Sequence, residues 1–375
     1  MKYLFPLSQY NQQRQYEKPV WVYPAHLAMY ATYLRNKGHE VWWGLEPFDE
    51  TINKIAFQES DGITRFYKAD KTIKDDFDID IPFEELPFPD RILTDAKNPR
   101  WQSYGNYKFH PATHMMASNL CWWGKCVFCV DTLKLQQGEK RGLRSVDHVM
   151  EEMGDLISQG YKEVFDDSGT FPIGEWLDEF CLKMIKGGKH KKIVVGCNMK
   201  PIAEKVVPFK LMKEAGFRFI LVGVESANQK TINLIHKGQN SEKVIENIKA
   251  MSDAGLEVHT TWMSDMPGET WEDEKKSIEL CKILLRKGYS KTAQASVYSP
   301  PRTRPNPLSQ GHKRIPLYFD VYKSPEFWYN RIRSIKRWED ITYYIRGARL
   351  VCEEHWRKFW KQYMLSVLVA RRYLK

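Results

Sequence analysis

No stretch of this chain is apolar for long enough to cross a bilayer; the longest near the end, Tyr363 to Ala370, is far too short. Met1 to Gln9 lacks the charged region, long apolar run and cleavage site of a secretory signal. No cysteine occurs before Cys121, and there is no internal repeat or low-complexity tract. These absences argue against a helical membrane protein and against a disulfide-stapled secreted scaffold. The expectation is a protein of the reducing cytoplasm, without stable membrane insertion.

The chain has 375 residues, enough for more than one domain. At 42% hydrophobic and 28% charged it has the composition of a folded protein. The formal charge of +10 is uneven: from Asn306 to Lys375 there are fifteen Lys and Arg against six Asp and Glu, with fourteen aromatics among them. Tyr343, Tyr344, Trp356, Phe359, Trp360 and Tyr363 alternate there with Arg346, Arg349, Arg357, Lys358 and Lys361. The spacing is helical, which favours a lid whose aromatics pack inward and whose charges face water. The competing reading is a nucleic-acid surface that neutralises phosphates and stacks bases.

Three of the seven cysteines crowd into Cys121-Trp-Trp-Gly-Lys-Cys126-Val-Phe-Cys129. Thiolates this close in a reducing setting point to a metal centre. Structural zinc wants four protein ligands, with His114 or His148 as the candidate fourth. An iron–sulfur cluster held by only three cysteines leaves one iron open to a small molecule. Cys181, Cys197, Cys281 and Cys352 sit singly in apolar patterns and read as small core residues.

Around this loop, short apolar runs alternate with helical patterns. His114 to Leu120 leads into the cysteines. Strands are expected at Glu163–Asp166, Lys192–Cys197, Arg218–Val224, Leu256–Ser264 and Thr292–Ser299, with amphipathic helices between them. Such alternation argues for a parallel α/β sheet, here an open partial barrel with its chemistry at the carboxyl ends of the strands. Before it, Lys2–Leu7, Pro24–Asn36 and His39–Trp43 read as one β-α-β unit. The stretch from Asp49 to Asp90 is polar and weakly patterned, with no strand visible between Phe57 and Phe83. Leu86-Pro-Phe-Pro-Asp-Arg91 reads as a linker or strap.

Residues Met116 to Val130 resemble the cluster-binding loop of the radical S-adenosylmethionine (SAM) superfamily. The usual gaps there are three and two residues; here the first is four, filled by Trp122, Trp123, Gly124 and Lys125. Gly223-Val-Glu-Ser226, His236-Lys-Gly238, Met266-Pro-Gly-Glu-Thr270, Phe165-Asp-Asp167 and Cys197-Asn-Met-Lys200 resemble further family segments at strand ends. The resemblance implies a partial (β/α)6 TIM-like barrel over residues 98–305. It implies a [4Fe–4S] cluster on Cys121, Cys126 and Cys129, and SAM contacted by Phe128, Asp167, Asn198, Lys200, Glu225, Pro267 and Gly268. An electron donor such as flavodoxin or ferredoxin is the implied partner.

Residues 1–97 most resemble a reduced form of the Rossmann-like domain of cobalamin-binding members, which makes cobalamin a candidate further cofactor. The Asp-x-His-x-x-Gly cobalamin-ligating motif is absent. So are the N-terminal cysteines of the methylthiotransferases, which removes that activity. Residues 306–375 remain as a helical extension. The implied reaction is methyl transfer or rearrangement at an unactivated carbon. The alternatives are a cobalamin-independent enzyme acting on RNA or a peptide, and a zinc-stabilised nucleic-acid binder.

Overall fold

Two sheets form where apolar runs are short and punctuated by glycine and proline. The computed structural model describes residues 2–6, 24–44, 54–58, 64–68, 81–102, 106–203, 205–300 and 313–346. In the first sheet, β1 (Lys2–Pro6) leads through α1 (Ala25–Asn36) to β2 (Glu40–Gly44), which lies parallel to it. β3 (Lys54–Gln58) pairs with β1 in parallel and β4 (Thr64–Lys68) returns antiparallel, giving the order β2-β1-β3-β4. β4 corrects the expectation of no strand beyond Phe57. Its five residues, Thr64-Arg-Phe-Tyr-Lys68, carry no polar–apolar alternation and are too short a run to stand out from a polar loop. The doubly wound pattern therefore stops after one βαβ unit, and a hairpin completes the sheet.

The second sheet has six parallel strands in sequence order: β5 (Ala112–Met115), β6 (Glu163–Asp166), β7 (Val194–Met199), β8 (Phe217–Glu225), β9 (Glu257–Ser264) and β10 (Thr292–Val297). β5 and β10 are its edges, so the barrel is open. Helices α2 (Pro99–Gln102), α3 (Val130–Gln136), α4 (Val146–Ser158), α5 (Glu175–Lys186), α6 (Phe209–Glu214), α7 (Gln229–Leu234), α8 (Val244–Asp253) and α9 (Trp271–Arg286) surround these strands in the chain. Ser145 Oγ caps α4 by accepting from His148 N, and Thr270 with Asp273 forms a capping box on α9.

Alternation along the strands separates two faces. Val164, Val195, Val222 and Val258 point outward and join Val149, Met153, Phe180, Met184, Met251 and Leu284 of the helices in the main core. Cys181, Cys197 and Cys281 are buried in that core, as their patterns suggested; Cys352 lies outside the described residues. The inner face has an aromatic floor of Tyr107, Phe165 and Phe219, with His114 against the Tyr107 and Phe165 rings.

Beneath that floor, at the amino ends of the strands, lies a buried charge network. Arg218 Nε donates to Glu163 Oε1 at 3.0 Å and Arg218 Nη1 to Glu257 Oε2 at 2.7 Å; Lys108 Nζ meets Glu257 Oε1 at 2.6 Å. The described part of the C-terminal extension finishes over this end. It comprises a 3-10 segment (Ile315–Lys323), α10 (Pro325–Arg333) and a helix over 338–346. Asp340 pairs with Lys108, and Arg346 Nη2 donates to Tyr107 O at 2.9 Å. The extension was expected to be a lid; its helix over 338–346 covers the end opposite the cysteine loop, while Arg314, before the 3-10 segment, pairs with Glu274 beside the carboxyl end of β9. Tyr318 and Phe327 pack inward, while Trp328, Tyr329 and Trp338 are exposed. Arg349 and the residues from Trp356 to Tyr363 lie outside the described residues.

Candidate active site

The cysteine loop begins where β5 ends, and buried groups hold its backbone almost residue by residue. Arg91 Nη2 donates to His114 O at 2.9 Å. Asp167 N donates to Met115 O, and Arg144 Nη1 to Met116 O at 3.1 Å. Ala117 N donates to Asp166 Oδ2 at 2.7 Å, Ser118 N to Ser168 Oγ at 2.9 Å, and Cys121 N to Asp131 Oδ2 at 2.8 Å. Arg91 and Arg144 share Glu152, each at 2.5 Å, and all three side chains are fully buried. Burial pushes the Glu152 carboxyl up, but the two guanidinium groups outweigh it and hold it below the ordinary range. Asp166 is likewise structural: its second oxygen accepts from Ser168 N, and burial raises it to about 6.

The loop then turns back on α3. Cys129 is the residue before that helix, and Cys121 Sγ lies 3.2 Å from Thr170 Oγ1. Gly169 presses against the loop: a Cβ there would lie 2.1 Å from Asp131 Oδ2 and 2.9 Å from Cys121 Cβ. The extra residue of the first gap is absorbed by Gly124, at φ +56°, and by Trp123. Trp123 Nε1 donates to His236 O at 2.8 Å, and its ring packs so closely on Gly238 that a Cβ there would lie 2.0 Å away. Trp122 Nε1 donates to Phe171 O. Phe128 packs with Ile232, Ile235 and Met266 beneath the β8 and β9 ends.

Two buried lysines face the thiols. Lys200, just past β7, has its Nζ 3.7 Å from the Trp123 ring centre and donates to Gly238 O. Burial, with Lys237 adding, brings its ammonium down to about 8. Lys237 pairs with Glu225 Oε1 at 2.9 Å. Burial works against its charge, and Glu225 with Cys126 outweighs that, so the ammonium stays above its ordinary value. This pair packs over Gly223, where a Cβ would lie 2.5 Å from Glu225 Oε1 and 2.7 Å from Lys237 Nζ. Glu225 itself adopts φ +67°, a left-handed conformation at a strand end that a non-glycine residue holds only when its surroundings fix it. Burial pushes the Cys129 thiol up to about 11, with Asp131 adding to it. It raises Cys126 as well, against the pull of Lys237 and Lys200.

The other candidates fall into two groups. Asp167 follows β6 on the inner face, is open to solvent although surrounded by protein, and has no side-chain hydrogen bond among the described residues. Burial, then the Asp166 and Asp131 carboxylates, push it up to about 7. Pro267 and Gly268 are exposed on the turn after β9. Asn198, by contrast, spends its amide on Ser168 O at 3.1 Å, which ties two strand-end loops together. Sequence reasoning did not select Lys237, Asp131 or Gly169. Lys237 lay within a quoted segment; the other two are needed only because of contacts across 10 and 48 positions of chain, which no local pattern shows.

Among the described residues, no three Cys, His, Asp or Glu side chains converge closely enough to share one metal ion. His114 is held by Tyr107 Oη and His148 lies beside Arg144, so neither joins the cysteines as a fourth zinc ligand. Thiolates of an iron–sulfur cluster bind different irons and stand further apart than ligands of a single ion. Three thiols on one short loop, facing two buried ammonium groups, fit an anionic cluster better than a zinc ion.

Residues 115–281 match the Radical SAM superfamily. An uncharacterized methyltransferase of Pyrococcus horikoshii is 27% identical over 237 residues, covering 60% of this chain and 50% of its own; the chain thus spans about half the length of that relative. Among solved structures, the radical SAM methyltransferase TsrM from Kitasatospora setae, with cobalamin and a [4Fe-4S] cluster bound, gives a TM-score of 0.44 at 15% identity, over 57% of this chain and 39% of that one. The apo cobalamin-dependent SAM radical enzyme OxsB gives 0.46 at 14% identity, over 87% and 47%. At such identities and TM-scores neither structure bears on the chemistry of this chain. The cysteine loop and four of the six parallel strands thus lie within the segment, residues 115–281, that matches the Radical SAM superfamily.

Proposed function

We propose that this enzyme carries out methyl transfer or rearrangement at an unactivated carbon. The observation that carries the reading is the meeting of Cys121, Cys126 and Cys129 with Lys200, Lys237 and Glu225 at the carboxyl ends of parallel strands. When bound, a [4Fe–4S] cluster and SAM supply a 5′-deoxyadenosyl radical after one-electron reduction, which takes hydrogen from such a carbon. The protein's part is placement. The three thiols would release their protons to solvent on ligating iron, and Lys200 and Lys237 would offset part of the negative charge of the ligated cluster. Asp167 and Glu225 accept hydrogen bonds from the ammonium and ribose groups of SAM, and Lys200 meets its carboxylate. Phe128 lies against the adenine, while Pro267 and Gly268 shape the rim. Asn198 holds the loop behind them.

The name of the Pyrococcus relative supports methyl transfer. Cobalamin as the methyl carrier is the finer part of the reading; without an Asp-x-His-x-x-Gly ligand, binding falls to the first sheet and its flanking loops. Titrating cobalamin into the protein and following its visible spectrum decides the point. A flavodoxin or ferredoxin is the electron donor this reading requires.

The test is anaerobic reconstitution with iron and sulfide, reduction in the presence of SAM, and mass spectrometry for 5′-deoxyadenosine. The parent forms it. Cys126→Ala holds less iron and forms none. A variant that keeps the parent's iron and sulfide would end the reading, and so would a colourless parent that binds one zinc.

A further inference from the structure

Arg91 is remote in sequence from every cysteine, yet it is part of what fixes the start of their loop. It closes the strap Leu86–Arg91, and its guanidinium enters the barrel wall fully buried. One nitrogen, Nη2, donates both to Glu152 Oε1 at 2.5 Å and to His114 O at 2.9 Å. Glu152 passes the constraint to Arg144, whose Nη1 donates to Met116 O and whose backbone N donates to Ala117 O. Two carbonyls at the exit of β5, His114 O within it and Met116 O just past it, are thus held by two guanidinium groups joined through one carboxylate. The preceding residue, Asp90, faces the other way: its carboxylate pairs with Arg35, and its N–H donates to Thr32 Oγ1 at 2.8 Å, both on α1. Two adjacent residues therefore join the helix of the first sheet to the loop of the second.

We infer that Arg91 is a positioning residue for the cluster-binding loop, through which the strap sets where the three thiols stand relative to the SAM site. This rests on the function proposed above. The chemistry of the group supports it: a planar guanidinium satisfies a carboxylate and a carbonyl in fixed directions, which a lysine ammonium does not reproduce. Displacing catalytic groups by about 1 Å costs roughly 100-fold in rate. A shift at His114 O is carried to Cys121 along seven residues that are themselves hydrogen-bonded.

The experiment compares the parent, Arg91→Met and Arg91→Lys as reconstituted full-length proteins. The expected result for Arg91→Met is iron and sulfide equal to the parent, an altered electron paramagnetic resonance spectrum of the reduced cluster on adding SAM, and a KM for SAM raised about 10-fold or more. Arg91→Lys keeps the charge and folds, and shows the same spectral change with a smaller rise in KM. The inference is overturned if both variants keep the parent's spectrum and KM. It is also overturned if Arg91→Met loses iron and thermal stability in step with activity while Arg91→Lys behaves as the parent. If the parent forms no 5′-deoxyadenosine, the failure lies with the proposed function and not with Arg91.

Discussion

Replacing Gly169 by alanine is the sharpest single perturbation of the cysteine loop that leaves every thiol in place. The new Cβ would stand 2.1 Å from Asp131 Oδ2, 2.9 Å from Cys121 Cβ and 3.2 Å from Cys121 N. Two relaxations are open. If the Asp131 carboxylate swings away, it gives up the bond it accepts from Cys121 N, worth about 1.5–3 kcal/mol for a charged acceptor. If the backbone at Cys121 moves instead, overpacking costs about 1–3 kcal/mol. Because Cys121 Cβ is as constrained as the backbone, some of each is expected, for a total of roughly 2–5 kcal/mol. For a domain of this size that lowers Tm by roughly 5–15 °C. The more telling readout is iron: a displaced Cys121 leaves two well-placed thiols, and reconstituted Gly169→Ala should hold clearly less iron and sulfide than the parent. Gly169→Ala with parental iron content and Tm would show that Gly169 does not press on the loop, and the account of how Cys121 is placed would fail.

Gly238→Ala should act from the other side, since φ +61° costs an alanine about 1–2 kcal/mol and its Cβ would drive the Trp123 ring from its seat; indole fluorescence shifts and iron loading drops, whereas an unchanged spectrum would refute the packing. Asp167 is raised from 3.8 to about 7, so the parent loses stability as pH climbs through that window while Asp167→Asn does not; the Tm advantage of the variant should grow from pH 4 to pH 8, and a constant difference would contradict the shift. Glu163→Gln breaks a buried ion pair with Arg218 at the far end of the barrel and should cost about 3–5 kcal/mol in denaturant melts, with cluster loading untouched in the protein that remains folded.

The barrel was legible because its signals are local. Glu163–Asp166 appears where four apolar-flanked residues predicted it, and α4 and α9 begin at Ser145 and Thr270, whose side chains cap them. The cysteine trio was legible for the same reason. What the sequence concealed is long-range. β4 has too few residues to show a period, α3 and α7 are about two turns each, and no pattern announces that Arg91 reaches Glu152 across 61 positions. Asp166 and Asp167 are adjacent carboxylates, of which position alone singled out Asp167. The structure buries Asp166 with Ala117 N and Ser168 N on its carboxylate, while Asp167, one position on, is exposed and has no side-chain hydrogen bond among the described residues.

The closed lower end of the half-barrel has a consequence for what can be processed. Lys108, Arg218 and Asp340 plug the amino ends of the strands, above them lies a layer of rings, and the cysteine loop stands over the opposite rim. Among the described residues that end is filled by side chains, so a molecule reaches the cysteine loop from the carboxyl rim of the strands or from the open side between β5 and β10.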